Sequence, residues 1–371
     1  MIFLDHNAGS PLHPRVGAFL ADLVRSAEWS NPSSPHGCGR LARELVERSR
    51  ELVARSVAQP ATRITFFSGA SEANAASISH WLSLAGSRRT ILSSAVEHPS
   101  VRENLLAWEA KGFRVRWAPV DRSGAMDPDW IARTLDDDIC LCVCMSANNE
   151  TGRRLPWLAW ANACAARGIP LHVDATQSWL REDLPLDRIA RGSACWSGHK
   201  MGGLSGAGAL WLSDTTGFHG LWEGGSQERG RRAGTESTLS VASLGEVARV
   251  WMEDPSARDP WPGWRERIWD SIKVLAGVER TSPGADTLAN TLHIRTSRRA
   301  ETMVQLLDLS GVAVSAGSAC ASGSLRPSPV LVAMGWTEEE AARALRISVG
   351  HAVDGQGVEN ACEILTRCLD R

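Results

Sequence analysis

Three short stretches carry side chains whose types and spacing could do chemistry together. The first is Ser68-Gly69-Ala70-Ser71-Glu72, which follows the apolar run ITFFS and opens the helical stretch SEANAASISHWL. Exposed N–H groups and the positive end of a helix dipole meet there, so the turn can cradle a phosphate. Read alone, it is better taken as an ordinary βα turn with Ser71 as N-cap. The second is His172-Val173-Asp174-Ala175-Thr176-Gln177. Asp174 closes a buried strand, and strand C-termini border the ligand crevice of open α/β sheets. A carboxylate there can hold a protonated pyridine nitrogen; alone, it could simply start the next turn. The third is Ser197-Gly198-His199-Lys200, again just past a strand end. An enclosed lysine can form a Schiff base, whereas a lone Lys in a Gly-rich loop is ordinarily a surface residue. Taken together, an anion cradle, a carboxylate and an amine fall at one end of one expected sheet. Those are the three requirements of pyridoxal 5'-phosphate (PLP).

A fourth stretch, Ser315-Ala316-Gly317-Ser318-Ala319-Cys320-Ala321-Ser322-Gly323-Ser324, presents a thiol among small residues. A nucleophilic Cys needs access and partial ionisation. The usual fate of a Cys is burial in a core, but the Gly and Ser around Cys320 argue against that, and Gly317 and Gly323 are the expected hinges. Other signals are set aside. Cys140, Cys142 and Cys144 alternate on an expected strand, so all three should face one way, roughly 6.6–7 Å apart. That is too far for a disulfide, and no fourth metal ligand is evident. Cys38, Cys164, Cys195, Cys362 and Cys368 read as packing residues. Arg229, Arg231 and Arg232 form a basic cluster better suited to a subunit interface or a phosphate than to nucleic acid, since aromatic platforms are lacking.

These residues need a scaffold, and the chain supplies one. Its 371 residues, 43% hydrophobic, are enough for a large core and more than one domain. Strands are expected at 64–68, 90–94, 114–120, 139–145, 170–174, 193–197 and 207–212, with helices at 72–84, 99–111 and 156–167 among them. This rhythm predicts an α/β fold with a mainly parallel sheet covered on both faces. The Pro-rich, charged stretch 253–264 reads as a hinge. Beyond it a smaller α+β unit is expected, with helices near 264–275, 338–345 and 356–369 and strands near 289–295, 311–316 and 345–349. A net charge of -2 gives no pull toward nucleic acid or an anionic membrane. The N-terminus lacks signal-peptide character, no run reaches the roughly 18 apolar residues of a membrane helix, and nine scattered cysteines suit a reducing compartment. A cytoplasmic location is therefore expected. Tyr is absent while Trp reaches 16, for which there is no functional account.

In order, the motifs LDHNAGSP, NPSSPHG, FSGASEAN, EHPS, NNETG, HVDATQS, SGHK, GGSQERGRRAGTE, SAGSACASGSL and LRISVG resemble the NifS/IscS-type cysteine desulfurases, nearest the NifS branch. The resemblance spans nearly the whole chain. It implies PLP fold type I, with a seven-stranded large domain over 15–252 and a small domain from 1–14 and 253–371 carrying the Cys320 loop. It further implies that Lys200 holds PLP as a Schiff base, that Asp174 pairs with the pyridine nitrogen, and that Gln177 bonds the phenolic oxygen. His98 would stack on the ring and aid proton transfer. Ala70, Ser71, Ser197 and His199 would bind the phosphate, Thr235 the phosphate of a partner subunit. Asn149 and Arg346 would hold the substrate carboxylate. Cys320 would take sulfur from L-cysteine as a persulfide, leaving L-alanine, and pass it to an iron-sulfur scaffold or another acceptor protein. A homodimer is implied.

Some positions depart from that pattern. Gly9 stands where a Thr is usual, Gly202-Gly203-Leu204-Ser205-Gly206 replaces a Tyr-Gly-Pro-Lys-Gly-like run, and Ser226 replaces a His. The chain also ends soon after its last helix, so docking through an extended tail is not expected. Two other readings stay open. One is a related PLP enzyme, a selenocysteine lyase or aminotransferase not using Cys320. The other is a partner module that has lost turnover.

Overall fold

The apolar runs become strands, named here in chain order: β1 (Ile2–Phe3), β2 (Ile64–Phe67), β3 (Thr90–Ser94), β4 (Arg114–Ala118), β5 (Ile139–Val143), β6 (Leu171–Asp174), β7 (Gly192–Ser197), β8 (Gly208–Leu212), β9 (Glu279–Arg280), β10 (Thr291–Arg295), β11 (Val312–Ala313) and β12 (Ala344–Ser348). The helices that matter below are α1 (Pro14–Ser26), α2 (Gly37–Arg55), α3 (Ala70–Ser83), α4 (Pro99–Glu109), α5 (Trp130–Thr134), α6 (Trp157–Ala165) and α7 (Thr238–Glu253). The structure is a computed structural model describing residues 1–26, 29–282, 286–317 and 327–370. Cys320 and Gly323 lie outside the described residues.

Seven strands form one sheet in the order β2-β8-β7-β6-β5-β3-β4. The block from β7 to β4 is parallel, and β8 runs antiparallel to both β7 and β2. Strands β3, β5, β7 and β8 are buried at every residue, as a sheet covered on both faces requires, whereas the edge strand β4 alternates in exposure. Helices α3 and α4 cover one face; α1, α2, α6 and α7 share the core on the other. Helix α7 crosses α2 so closely that a Cβ on Gly245 would sit 2.7 Å from Ser49 Cα, so only glycine permits this crossing.

A second, three-stranded sheet, β12-β10-β9, is antiparallel. The chain's opening residues reach it: β1 pairs in parallel with β11, and Asp5 bridges to Ser348 of β12. The expected helix at 338–345 is shorter than the pattern suggests. It spans Glu338–Ala341 behind a Thr337–Glu340 capping box, and the chain turns into β12 at Ala344.

Two cysteine expectations are overturned. Ile139 pairs with Thr90 but Leu141 with Ile91, so Cys140 is the extra residue of a bulge. Cys140 and Leu141 therefore face the α3/α4 side together, while Cys142 and Cys144 join the main core on the opposite face. Burial pushes the Cys140 thiol up to about 11 and those of Cys142 and Cys144 well above the ordinary range, which leaves all three inert. No metal-binding group occurs among the described residues. Cys38 is exposed near the start of α2, not packed, because the amphipathic helix turns that position outward. Cys164, Cys195, Cys362 and Cys368 are buried as expected.

Candidate active site

The lysine, the carboxylate and the helix N-terminus converge. Asp174 is the last residue of β6 and pairs with Cys195 on β7; Lys200 follows β7 in a 3-10 turn at Gly198–Met201. Lys200 Nζ donates to the carbonyls of Asn7 at 2.9 Å and Ala8 at 2.7 Å. Gln177 Nε2 donates to the same Asn7 carbonyl at 3.1 Å. Asp174 is buried; its Oδ1 accepts from the Thr176 N–H at 3.0 Å and its Oδ2 from Asn74 Nδ2 at 2.9 Å.

The cradle is open. Gly69 occupies the N-cap of α3 with no side-chain cap, and nothing lies within 4 Å of where its Cβ would be. Ser71 is thus in the first turn of the helix and not its cap. Gly208 makes the close approach possible, since a Cβ there would meet Gly69 Cα at 2.7 Å. Glu72 folds back onto the Ser68 N–H at 2.7 Å, and Arg232 balances its charge at 3.0 Å. Beside the cradle Ser197 Oγ and His199 Nδ1 are 2.8 Å apart. Burial, and the charge of Lys200, push the His199 imidazole down to about 4, so it is neutral.

His98 caps α4, with Pro99 at the first helical position. Burial lowers its pKa, the charge of Asp174 opposes this, and Lys200 reinforces it. His98 is therefore a neutral imidazole within electrostatic reach of both groups.

Asn149 and Arg346 form the other wall. Arg346 is 1% exposed; its Nη1 donates to the carbonyls of Asn149 at 2.9 Å and Gly317 at 3.3 Å. Asn7 Nδ2 also donates to the Asn149 carbonyl, at 3.3 Å, so one hydrogen-bonded path runs from Arg346 through Asn149 and Asn7 to Lys200. Among the described residues, Asn149 Oδ1, Arg346 Nε and Thr176 Oγ1 are buried without a hydrogen-bond partner. Buried polar atoms in this state call for an explanation, and a ligand's groups would supply one here. Together with the open cradle and the Asp174–Lys200 pair, they fit a phosphorylated pyridine bearing an amino acid.

Thr235 is exposed on the turn before α7 and shares no hydrogen bond with the other candidates among the described residues. The basic cluster is engaged within the chain: Arg229 pairs with Glu47, Arg231 donates to the Thr62 carbonyl and Arg232 pairs with Glu72. Reasoning from sequence passes over Asn7, Asn74, Ser100 and Arg181. Arg181 holds the Gln177 side chain and donates to the carbonyls of His6 and Lys200, both at 3.2 Å. Asn7 falls inside LDHNAGSP, Asn74 closes FSGASEAN and Ser100 closes EHPS, so the motifs contain three of the four without giving them a role.

A doubly covered, mainly parallel sheet with this trio at its strand ends is the site and fold of a PLP fold type I enzyme. The chain belongs to the aminotransferase class-V family, whose model matches residues 2–360. It is 34% identical to the IscS-like cysteine desulfurase of Mycobacterium tuberculosis over 100% of this chain and 97% of that one. A solved NifS-like protein superposes with a TM-score of 0.90 at 27% identity, covering 99% of this chain and 98% of that one. SspA in complex with cysteine superposes with a TM-score of 0.82 at 27% identity, covering 94% and 99%. No helix among the described residues is long and apolar enough to cross a membrane.

Proposed function

We propose that this chain is a PLP-dependent cysteine desulfurase that releases L-alanine and carries the sulfur as a persulfide on Cys320. The observation that carries the reading is the placement of Asp174 at the end of β6 and of Lys200 just past the end of the neighbouring β7, near the open α3 N-terminus and the Asn149–Arg346 wall. Bound PLP supplies an electron sink once joined to an amine. Lys200 is the residue that would hold it, and its Nζ would afterwards take and return the substrate Cα proton. Asp174 would keep the ring nitrogen protonated, Gln177 would meet the ring hydroxyl, and His98 would lie against the ring. Ala70 N–H, Ser71, Ser197 and His199 would hold the phosphate. Arg346 and Asn149 would orient the substrate carboxylate.

Sulfur transfer balances without an outside oxidant. The Cys320 thiolate attacks the substrate sulfur; an S–S bond forms as the C–S bond breaks, and the electron pair leaves on the carbon fragment, which gains protons and departs as alanine. The persulfide then passes to an acceptor protein, an iron-sulfur scaffold in this reading. Residues 15–252 would form the cofactor-binding domain, and 1–14 with 253–371 the smaller one. The exposure of Thr235 supports a homodimer in which it reaches the neighbouring phosphate. The location proposed is the cytoplasm.

The test is mass spectrometry of the protein after mixing with L-cysteine. One added sulfur on the peptide holding Cys320, with alanine released and both lost in Cys320→Ala, is the expected result. Alanine release at full rate by Cys320→Ala would overturn the persulfide route.

A further inference from the structure

Asn74, fully buried on α3, uses its whole amide. Its Nδ2 donates to Asp174 Oδ2 and to Ser100 Oγ, both at 2.9 Å. Its Oδ1 accepts from His172 Nε2 at 2.7 Å and from Cys195 Sγ at 2.9 Å. The orientation of the amide follows from chemistry: an ionised Asp174 only accepts, so the nitrogen must face it. The consequences propagate. Ser100 Oγ accepts from Asn74, which leaves its own hydrogen free to turn to His98 Nδ1, 2.8 Å away. The Ser100 backbone N–H donates to the same Nδ1 at 3.1 Å. Two donors aimed at Nδ1 exclude a proton from it, so neutral His98 carries its proton on Nε2. On the far side, His172 Nδ1 faces the hydroxyls of Ser77 at 3.0 Å and Ser193 at 2.9 Å, and Trp81 anchors Ser193 at 3.0 Å. Burial pushes His172 down to about 4, so it stays neutral and presents Nε2–H to Asn74.

We propose that Asn74 is a positioning residue that sets two parts of the active site at once: it orients the Asp174 carboxylate and, through Ser100, fixes His98 as the Nε2–H tautomer. The role assigned to that tautomer rests on the PLP reading of Asp174 and His98; the tautomer itself does not. A single amide thereby ties the group under the ring nitrogen to the imidazole against the ring face. The titratable groups facing this cluster are Asp174 and His172 of β6, Cys195 of β7, Glu97 before α4, and Lys200.

The experiment uses the full chain, with and without added PLP, in two variants, Asn74→Leu and Ser100→Ala. Imidazole 15N shifts of His98 read the tautomer without any need for cofactor. The expected wild-type signal is an unprotonated Nδ1 and a protonated Nε2. In both variants the expected result is a tautomer mixture, with the His98 titration moved upward because a donor to Nδ1 is lost; Ser100→Thr restores the wild-type pattern. With PLP, Asn74→Leu is expected to shift the pH midpoint of the cofactor's visible absorbance, and Ser100→Ala to leave it in place. A protonated Nδ1 in the wild type, or Ser100→Ala with an unchanged tautomer, overturns the proposal. Wild-type protein that shows the tautomer but binds no PLP overturns the cofactor reading alone.

Discussion

Arg346 Nη2 donates to Asp5 Oδ1 at 2.7 Å and so joins β12 to the opening segment whose Asn7 and Ala8 carbonyls receive Lys200. The guanidinium is already oriented before any substrate arrives. Arg346→Lys exchanges a planar fork for a point charge that cannot serve Asp5, the Asn149 carbonyl and a carboxylate together. Losing one charged hydrogen bond costs about 1.5–3 kcal/mol, which predicts a KM for cysteine raised roughly 10- to 100-fold. The visible absorbance of bound PLP is expected to stay as in the wild type. Steady-state alanine formation measures this, and an unchanged KM would remove Arg346 from substrate binding.

The turn Gln227–Gly230 is pinned from inside the protein. Glu228 sits in the left-handed region at φ 49°, with Arg229 after it at φ 61°, and such backbone needs an external hold. Arg50 supplies it, donating to Glu228 at 2.6 and 2.8 Å, while the Phe66 N–H adds a third bond at 2.7 Å. Both side chains are at most 3% exposed. Glu228→Ala leaves the buried guanidinium with the half-exposed Glu47 carboxylate as its remaining counter-charge, and a loss of about 3–5 kcal/mol follows. Chemical denaturation tests it. The double variant Arg50→Met, Glu228→Leu should recover most of the loss; a single variant as stable as the wild type would show that the turn holds itself.

The strands, Asp174 and Lys200 were legible because each strand is a short apolar run, with Asp174 ending one and Lys200 three residues past the end of another. What stayed hidden depends on contacts between distant segments. The bulge at Cys140 leaves no trace in the alternation of apolar residues, so the three cysteines read as one face. Asn74 lies in a helix of Ala and Ser where an amide has no distinctive spacing; only the approach of α4 and β6 gives it partners. Thr235 was found only through motif resemblance, whereas Cys320 stood out by the small residues around it; the persulfide role came with the resemblance.

Acid should weaken the fold through histidine. Burial pushes His172, His199 and His351 down to about 4, His293 to about 3 and His6 to about 2. Each takes up a proton on unfolding wherever the pH lies between its folded value and the ordinary 6.5. The unfolded chain then binds more protons, so stability is present above 6.5 and is lost as pH falls toward 4. Calorimetry at pH 5 in buffers of different ionisation enthalpy should register net proton uptake on unfolding. Uptake near zero would mean these rings are charged in the folded protein.

Glu97 acts in the opposite sense and sets the other side of the optimum. It is fully buried before α4, where Ser94 and the Met145 N–H at 2.7 Å both contact Oε1, while Oε2 has no partner among the described residues. Burial outweighs those two donors, the nearby charge of Asp174 adds to it, and the carboxyl rises to about 8. A raised acid stabilises the fold below its unfolded value near 4.5, and that contribution drains away as pH climbs to 8. Between 4.5 and 6.5 the five histidines outnumber it and stability climbs. At 6.5 the unfolded histidines are still half protonated, and only about a unit higher does Glu97 outweigh them and pull stability down. Maximum stability just above neutral pH is therefore expected. Glu97→Gln keeps the shape and an acceptor for the Met145 N–H but cannot ionise, so its melting temperature should not fall between about pH 7.5 and 8, where that of the wild type declines. Parallel declines in the two proteins would show that Glu97 is not the group responsible.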